Sequence, residues 1–201
     1  MKVVIITGGI GSGKSLACRF LSDKFGWPVY HADERVKEFY MTSPSLLSEI
    51  ETQLGAGFRD AEGNFLPSSL ADVIFSDPAA LEKVESLVFP CLAEDFAEWC
   101  AAHGDMPVVI LESATILEKP QLKGIGDITV LIDAPIEMRL SRAVSRDGSG
   151  TDAIRRRMEA QRLMNDVSEG IAEAPADFVL KNDSTVDVLF EGLTKLAENI
   201  I

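Results

Sequence analysis

The residues best suited to chemistry stand near the head of the chain, where the apolar run 3–6 leads through Thr7 into Gly8-Gly9-Ile10-Gly11-Ser12-Gly13-Lys14-Ser15. The spacing Gly-x4-Gly-Lys-Ser is that of a phosphate-binding loop. Glycines let successive backbone N–H groups turn toward a polyphosphate, Lys14 reaches its outer phosphates, and the Ser15 hydroxyl can ligate magnesium. A helix must follow to add its positive N-terminal end, and Ala17, Phe20 and Leu21 recur at helical spacing before Gly26 and Pro28 stop it. A flexible glycine turn has no need of Lys-Ser at this offset after a strand. Gly8, Gly9, Ile10, Gly11, Ser12, Gly13, Lys14 and Ser15 are therefore read as binding nucleotide phosphates, with Ser15 as the metal ligand.

Three further groups of polar residues have chemical spacing. Asp33 follows a short second strand, Pro28-Val29-Tyr30, at the end where open α/β sheets bind ligands, so it is a candidate for catalysis; it also suits a cap for the helix 34–40. The apolar runs 107–111 and 128–132 read as central parallel strands and end in Glu112 and Asp133. Either carboxylate can help hold magnesium through water, and one of the two is expected to be structural. Arg139, Arg142 and Arg146 lie on one helix face. The stretch 145–151, including Gly148-Ser149-Gly150, then breaks the pattern, and Arg155-Arg156-Arg157 opens a helix leading to Gln161 and Arg162. Such a segment is either a solvated face or a hinged lid that neutralises transition-state charge in phosphoryl transfer; the lid is favoured.

These residues need a scaffold, and 201 residues supply one core with insertions. With 19 basic and 32 acidic residues the net charge is −13, which disfavours a nucleic-acid or anionic-membrane partner. No apolar run approaches the ~20 residues of a membrane span, and the first strand ends in the loop where a signal peptide would have a cleavage site. The chain reads as cytoplasmic. Cys18, Cys91 and Cys100 lack metal-ligand spacing and read as reduced packing residues, and His103 as surface loop. Between residues 36 and 102 the pattern is helical: Ser43-Pro44 and Asp77-Pro78 each set a cap before a proline, 55–67 is a connector, and Pro90 begins a further helix. Residues 177–181 give a fifth strand, and Ser184-Thr185-Val186-Asp187 opens the closing helix. Five strands alternating with helices predict a parallel α/β fold.

With these residues in place the sequence resembles the dephospho-CoA kinases, P-loop enzymes of the last step of coenzyme A synthesis, over nearly the whole chain. The resemblance rests on residues 7–15, Ala32-Asp33, and Glu62-Gly63 with Leu70 and Phe75. It also rests on Pro90, the run 139–147, Ala160-Gln161, and Ala176-Asp177 with Asn182. It implies a single domain of the nucleoside monophosphate kinase type. The five-stranded core would span 1–35, 104–135 and 174–201, the helical acceptor-binding insertion 36–103, and the arginine-rich lid 136–173. The implied reaction moves the γ-phosphoryl of ATP, with Mg2+, to the ribose 3'-hydroxyl of dephospho-CoA. Asp33 would be the base, Thr7 an active-site threonine and Arg142 the lid arginine, with Lys14 on the phosphates. Arg146 is counted beside Arg142 at the nucleotide, and Asn182 near adenine. The sequence departs from the family's pattern on the acceptor side: at His31 in place of an Asp, at Phe89 in place of a His, at Pro67 in place of an arginine, and in 112–118. A kinase of another nucleoside, nucleotide or hydroxylated metabolite, and a non-catalytic nucleotide-binding homologue, are the alternatives.

Overall fold

The computed structural model describes residues 1–148 and 150–200. Five strands form one parallel sheet: β1 (Lys2–Thr7), β2 (Val29–His31), β3 (Val108–Glu112), β4 (Ile128–Asp133) and β5 (Phe178–Lys181), in the order β2-β3-β1-β4-β5. The apolar runs become strands because a sheet covered on both faces buries every side chain of a central strand. All five residues of β3 are buried, as are the last four of β4. On one face α1 (Lys14–Phe25) and α9 (Val186–Ile200) contribute Ala17, Leu21, Leu189 and Leu193 to a cluster with Val4, Ile6, Ile110 and Ile132.

After β4 come α6 (Ile136–Asp147), α7 (Thr151–Glu159) and α8 (Arg162–Ser168). Leu140 and Ala143 pack with Ile154 and Met158, and Ile10 of the glycine loop joins them. Met164 and Val167 cover Leu131. The segment after β4 is thus partly core. Its second helix starts at Thr151, a turn before the arginine triplet expected to open it, because Ile154 and Met158 need the whole helix to reach α6. Ser149 of the expected break lies outside the described residues.

The chain divides into two compact units, one of residues 1–31 and 100–201, the other of residues 32–99. The second holds α2 (Ala32–Thr42), α3 (Pro44–Leu54), α4 (Pro67–Ser76) and most of α5 (Pro78–Ala102). Its interior is Phe39, Leu47, Ile50, Phe58, Leu70, Val84, Val88, Leu92 and Phe96. Arg35 crosses from α2 to α5 with two hydrogen bonds to Asp95, at 2.8 and 2.5 Å. Burial, with Glu85 nearby, pushes the Tyr40 hydroxyl up to about 12. Of the two expected caps, the Asp77 carboxylate accepts from the Ala79 N–H at 2.9 Å, whereas Ser43 makes no side-chain cap bond.

Pro90 does not begin a helix; it lies inside α5. An internal proline costs about 3 kcal/mol or more through its lost bond and ring clash. Here Pro90 is exposed, so water can meet the carbonyl it leaves without a donor, while Val84, Val88, Leu92 and Phe96 carry one buried face straight past it. Among the described residues no helix is long and apolar enough to cross a membrane.

Candidate active site

β1 lies at the middle of the sheet and delivers Thr7, fully buried, to the edge where the glycine loop begins. The Thr7 hydroxyl and that of Ser12, also buried, have no hydrogen-bond partner among the described residues. Buried hydroxyls are nearly always satisfied, so two unmatched ones mark where a polar ligand or its water completes the set. The loop closes on itself through the Ser12 N–H, which donates to the Gly9 carbonyl at 3.0 Å. Gly13 adopts φ 107°, a left-handed conformation that costs a side-chain-bearing residue strain, and α1 starts there without a side-chain cap. An uncapped helix N-terminus is an anion site. Gly9 has a second reason to be glycine: a Cβ there would lie 1.9 Å from Nη2 of Arg139.

Behind the loop stand residues the sequence had placed elsewhere. Arg139, expected on one helix face of a lid with Arg142 and Arg146, is 1 % exposed. Its Nε donates to the Ile10 carbonyl at 3.1 Å, and its Nη1 to the Met164 carbonyl, Asn165 Oδ1 and the Ser168 hydroxyl at 3.4, 3.2 and 3.3 Å. Burial lowers the affinity of this guanidinium for its proton, and the charge of Asp133 partly offsets that. Gln161, between α7 and α8, accepts the Ile10 N–H at 2.7 Å. Asn182, after β5, donates from its amide to the Ser12 carbonyl at 2.7 Å, and its own carbonyl accepts from Arg142 at 3.0 Å. Asn182 is thus tied to the loop, and Arg142 to Asn182. Arg146 instead pairs with Asp147 on an exposed edge, where Arg157 joins the same carboxylate.

The two strand-end carboxylates separate cleanly. Asp133 accepts from Ser168 and from Lys181, each at 2.5 Å, so it is the structural one. Glu112 accepts the Ser15 hydroxyl at 2.8 Å on Oε1, while Oε2 meets Nδ1 of His31. Lys14 folds along the loop, with Nζ 3.4 Å from the Gly9 carbonyl. Among the described residues no group of three or more His, Cys, Asp or Glu is arranged to hold a metal. A magnesium ion that arrives with a polyphosphate needs only one or two protein oxygens, and a hydroxyl beside a carboxylate supplies hard donors of that kind. Ser15 and Glu112 fit it.

Asp33 belongs to the other unit, as the second residue of α2, with its side chain exposed. It is inside the first helical turn, where its charge also suits the helix dipole. Cys18 is buried on α1, and burial, then the charge of Glu112, raises its thiol well above the ordinary value while Lys14 acts in the opposite sense. His31 and Arg139 are the site residues whose contacts the sequence did not reveal. His31 sits in a strand whose end alone hinted at the crevice, and Arg139 was hidden by its helical spacing to the half-buried Arg142 and the exposed Arg146.

A model of the dephospho-CoA kinase family matches residues 2–187. A dephospho-CoA kinase of Porphyromonas gingivalis is 34 % identical over 182 residues, covering 90 % of this chain and 86 % of its own. One from Acinetobacter baylyi is 31 % identical over 201 residues, covering 100 % and 99 %. Among solved structures, a crystal structure of a Thermus thermophilus protein matches with a TM-score of 0.81 at 26 % identity, covering 100 % of this chain and 98 % of that one. Dephospho-CoA kinase from Campylobacter jejuni, at a TM-score of 0.66, 20 % identity and coverage of 98 % and 96 %, shares the fold. A match that begins in the first strand and runs into the last helix makes this chain a member of the dephospho-CoA kinase family, whose enzymes are ATP-dependent kinases that work with magnesium.

Proposed function

We propose that this chain moves the γ-phosphoryl group of ATP to the ribose 3'-hydroxyl of dephospho-CoA, in the cytoplasm. The observation that carries the reading is the Ser15–Glu112 pair, set at the start of α1 beside a loop whose buried Thr7 and Ser12 hydroxyls await partners. Lys14 would neutralise the outer phosphates, and Ser15 with Glu112 would hold magnesium. The metal, when bound, spreads the charge that builds on the phosphate oxygens. Asp33 is assigned the base: as the 3'-oxygen bonds to the γ-phosphorus and the bond to the ADP oxygen breaks, the hydroxyl proton passes to its carboxylate. Arg142 is assigned to the transferring group, reaching it by leaving the Asn182 carbonyl it now meets. Thr7 would complete the pocket floor. Arg146 and Asn182 are assigned supporting parts at the nucleotide, Asn182 by holding the Ser12 carbonyl.

The test is a coupled ADP-release assay with dephospho-CoA beside a panel of nucleosides, nucleotides and hydroxylated metabolites. Turnover with dephospho-CoA well above the ATPase background is expected. Turnover confined to another acceptor would replace the assigned substrate, and the changes at Phe89 and Pro67 would then be its cause. ATP binding without transfer to any acceptor would reduce the chain to a nucleotide-binding homologue.

A further inference from the structure

We propose that Arg139 and Gln161 form a clasp on the backbone of Ile10 that sets the affinity of the phosphate-binding loop for ATP. Both are positioning residues acting through the loop. The inference rests on the loop being the ATP site, as assigned above. Its geometry is two-sided: the Ile10 carbonyl takes the Arg139 Nε–H at 3.1 Å, and the Ile10 N–H goes to Gln161 Oε1 at 2.7 Å. The jaws also touch each other, Arg139 Nη2 donating to the same Gln161 oxygen at 3.4 Å.

One residue of the loop is thus gripped at both of its backbone polar groups, the N–H of the Gly9–Ile10 peptide and the carbonyl of the Ile10–Gly11 peptide. Glycine-flanked backbone has the most conformational freedom to lose, so a loop left to itself would surrender that freedom when nucleotide binds. A loop already held in shape does not, and pre-organisation of this kind appears as affinity. The grip is anchored: Arg139 is fixed to α8 through the Met164 carbonyl, Asn165 and Ser168, and Ser168 is held by Asp133. A buried guanidinium needs compensation, and Asp133 supplies the nearby charge. The side chain fits only because Gly9 has no Cβ. An exposed stripe of arginines would explain none of these contacts.

The test compares wild type with Gln161→Leu, Gln161→Glu and Arg139→Met, by calorimetric titration of ATP with magnesium, by the steady-state KM for dephospho-CoA, and by NMR hydrogen exchange at the Ile10 amide without nucleotide. Gln161→Leu and Arg139→Met are expected to weaken ATP binding about tenfold and to speed exchange at Ile10, with the acceptor KM unchanged. Gln161→Glu keeps an acceptor oxygen and should stay near wild type. ATP affinity within about twofold of wild type in Gln161→Leu, with Ile10 still protected, would overturn the clasp whatever happens to melting temperature. Should Arg139→Met fail to fold, the Gln161 pair decides alone. If wild type binds no ATP, the assigned function falls and takes the clasp with it; wild-type binding with indifferent variants removes the clasp only.

Discussion

β3 and β4 flank β1 on its two sides, and both end in a buried carboxylate, yet Glu112 and Asp133 live in different chemistry. Glu112 meets a loop hydroxyl and a histidine ring, groups that can change partners when a ligand enters. Asp133 meets Ser168 and Lys181, and it supplies the charge beside a buried arginine, so moving it would take an acceptor from both and the nearby charge from Arg139. A strand end grants access to the crevice; the neighbours decide whether that access serves a ligand or the scaffold. The contrast predicts that activity should respond on the Glu112 side and stability on the Asp133 side.

The largest effect would come from a residue that crosses this division. Arg142 hangs from Asn182 on the Asp133 side, yet is assigned to the phosphoryl group. Arg142→Ala should lower kcat by ~10³-fold with a modest change in ATP affinity, as for a cation used mainly in the transition state. A kcat within a few-fold of wild type would return Arg142 to the scaffold. Next, Glu112→Gln should raise the magnesium needed for half-maximal rate by about 10-fold to 100-fold, with little change in melting temperature, since the amide still accepts from Ser15 but has lost its charge. Superimposable magnesium titrations would erase the distinction between the two strand ends. Asp133→Asn should cost about 2 kcal/mol in urea unfolding and leave the magnesium titration unmoved, because its loss is felt by Ser168, Lys181 and the buried Arg139 and not by ligand. The smallest effect concerns Cys18, whose raised thiol keeps the thiolate scarce. Its alkylation at mildly alkaline pH should be slow and should quicken in Glu112→Gln, which removes the second cause of the shift. Mass spectrometry of the labelled peptides would read this, and an unchanged rate would leave burial as the sole cause.

The loop, the five strands and their carboxylate ends were legible because each is local: a motif, an apolar run, a residue that stops it. The division of labour between Glu112 and Asp133 was not, since it depends on Ser168 and Lys181, which lie 35 and 48 residues from Asp133 in sequence. Pro90 misled for a similar reason, as the local rule against internal proline was outweighed by a buried face that continues on both sides. Arg139 shows the limit most clearly. Its spacing to Arg142 and Arg146 is correct for a shared face, but spacing carries no information on which end of that face the glycine loop covers.

The loop at the head of the chain is fastened by a residue near its tail, since the Asn182 amide and the Ser12 carbonyl are 170 residues apart. β1, likewise, pairs only with strands made much later, Lys2 with Val108 and Val4 with Ile128. Contacts so distant in sequence form slowly, because the chain must be closed over a long loop before they return anything. On the ribosome, then, the phosphate-binding loop is synthesised long before the strands and the Asn182 side chain that finish it. Nucleotide can recognise the completed fold and not the nascent one, so ATP in the cell acts on this protein as a ligand of its native state, drawing late folding intermediates toward the finished molecule.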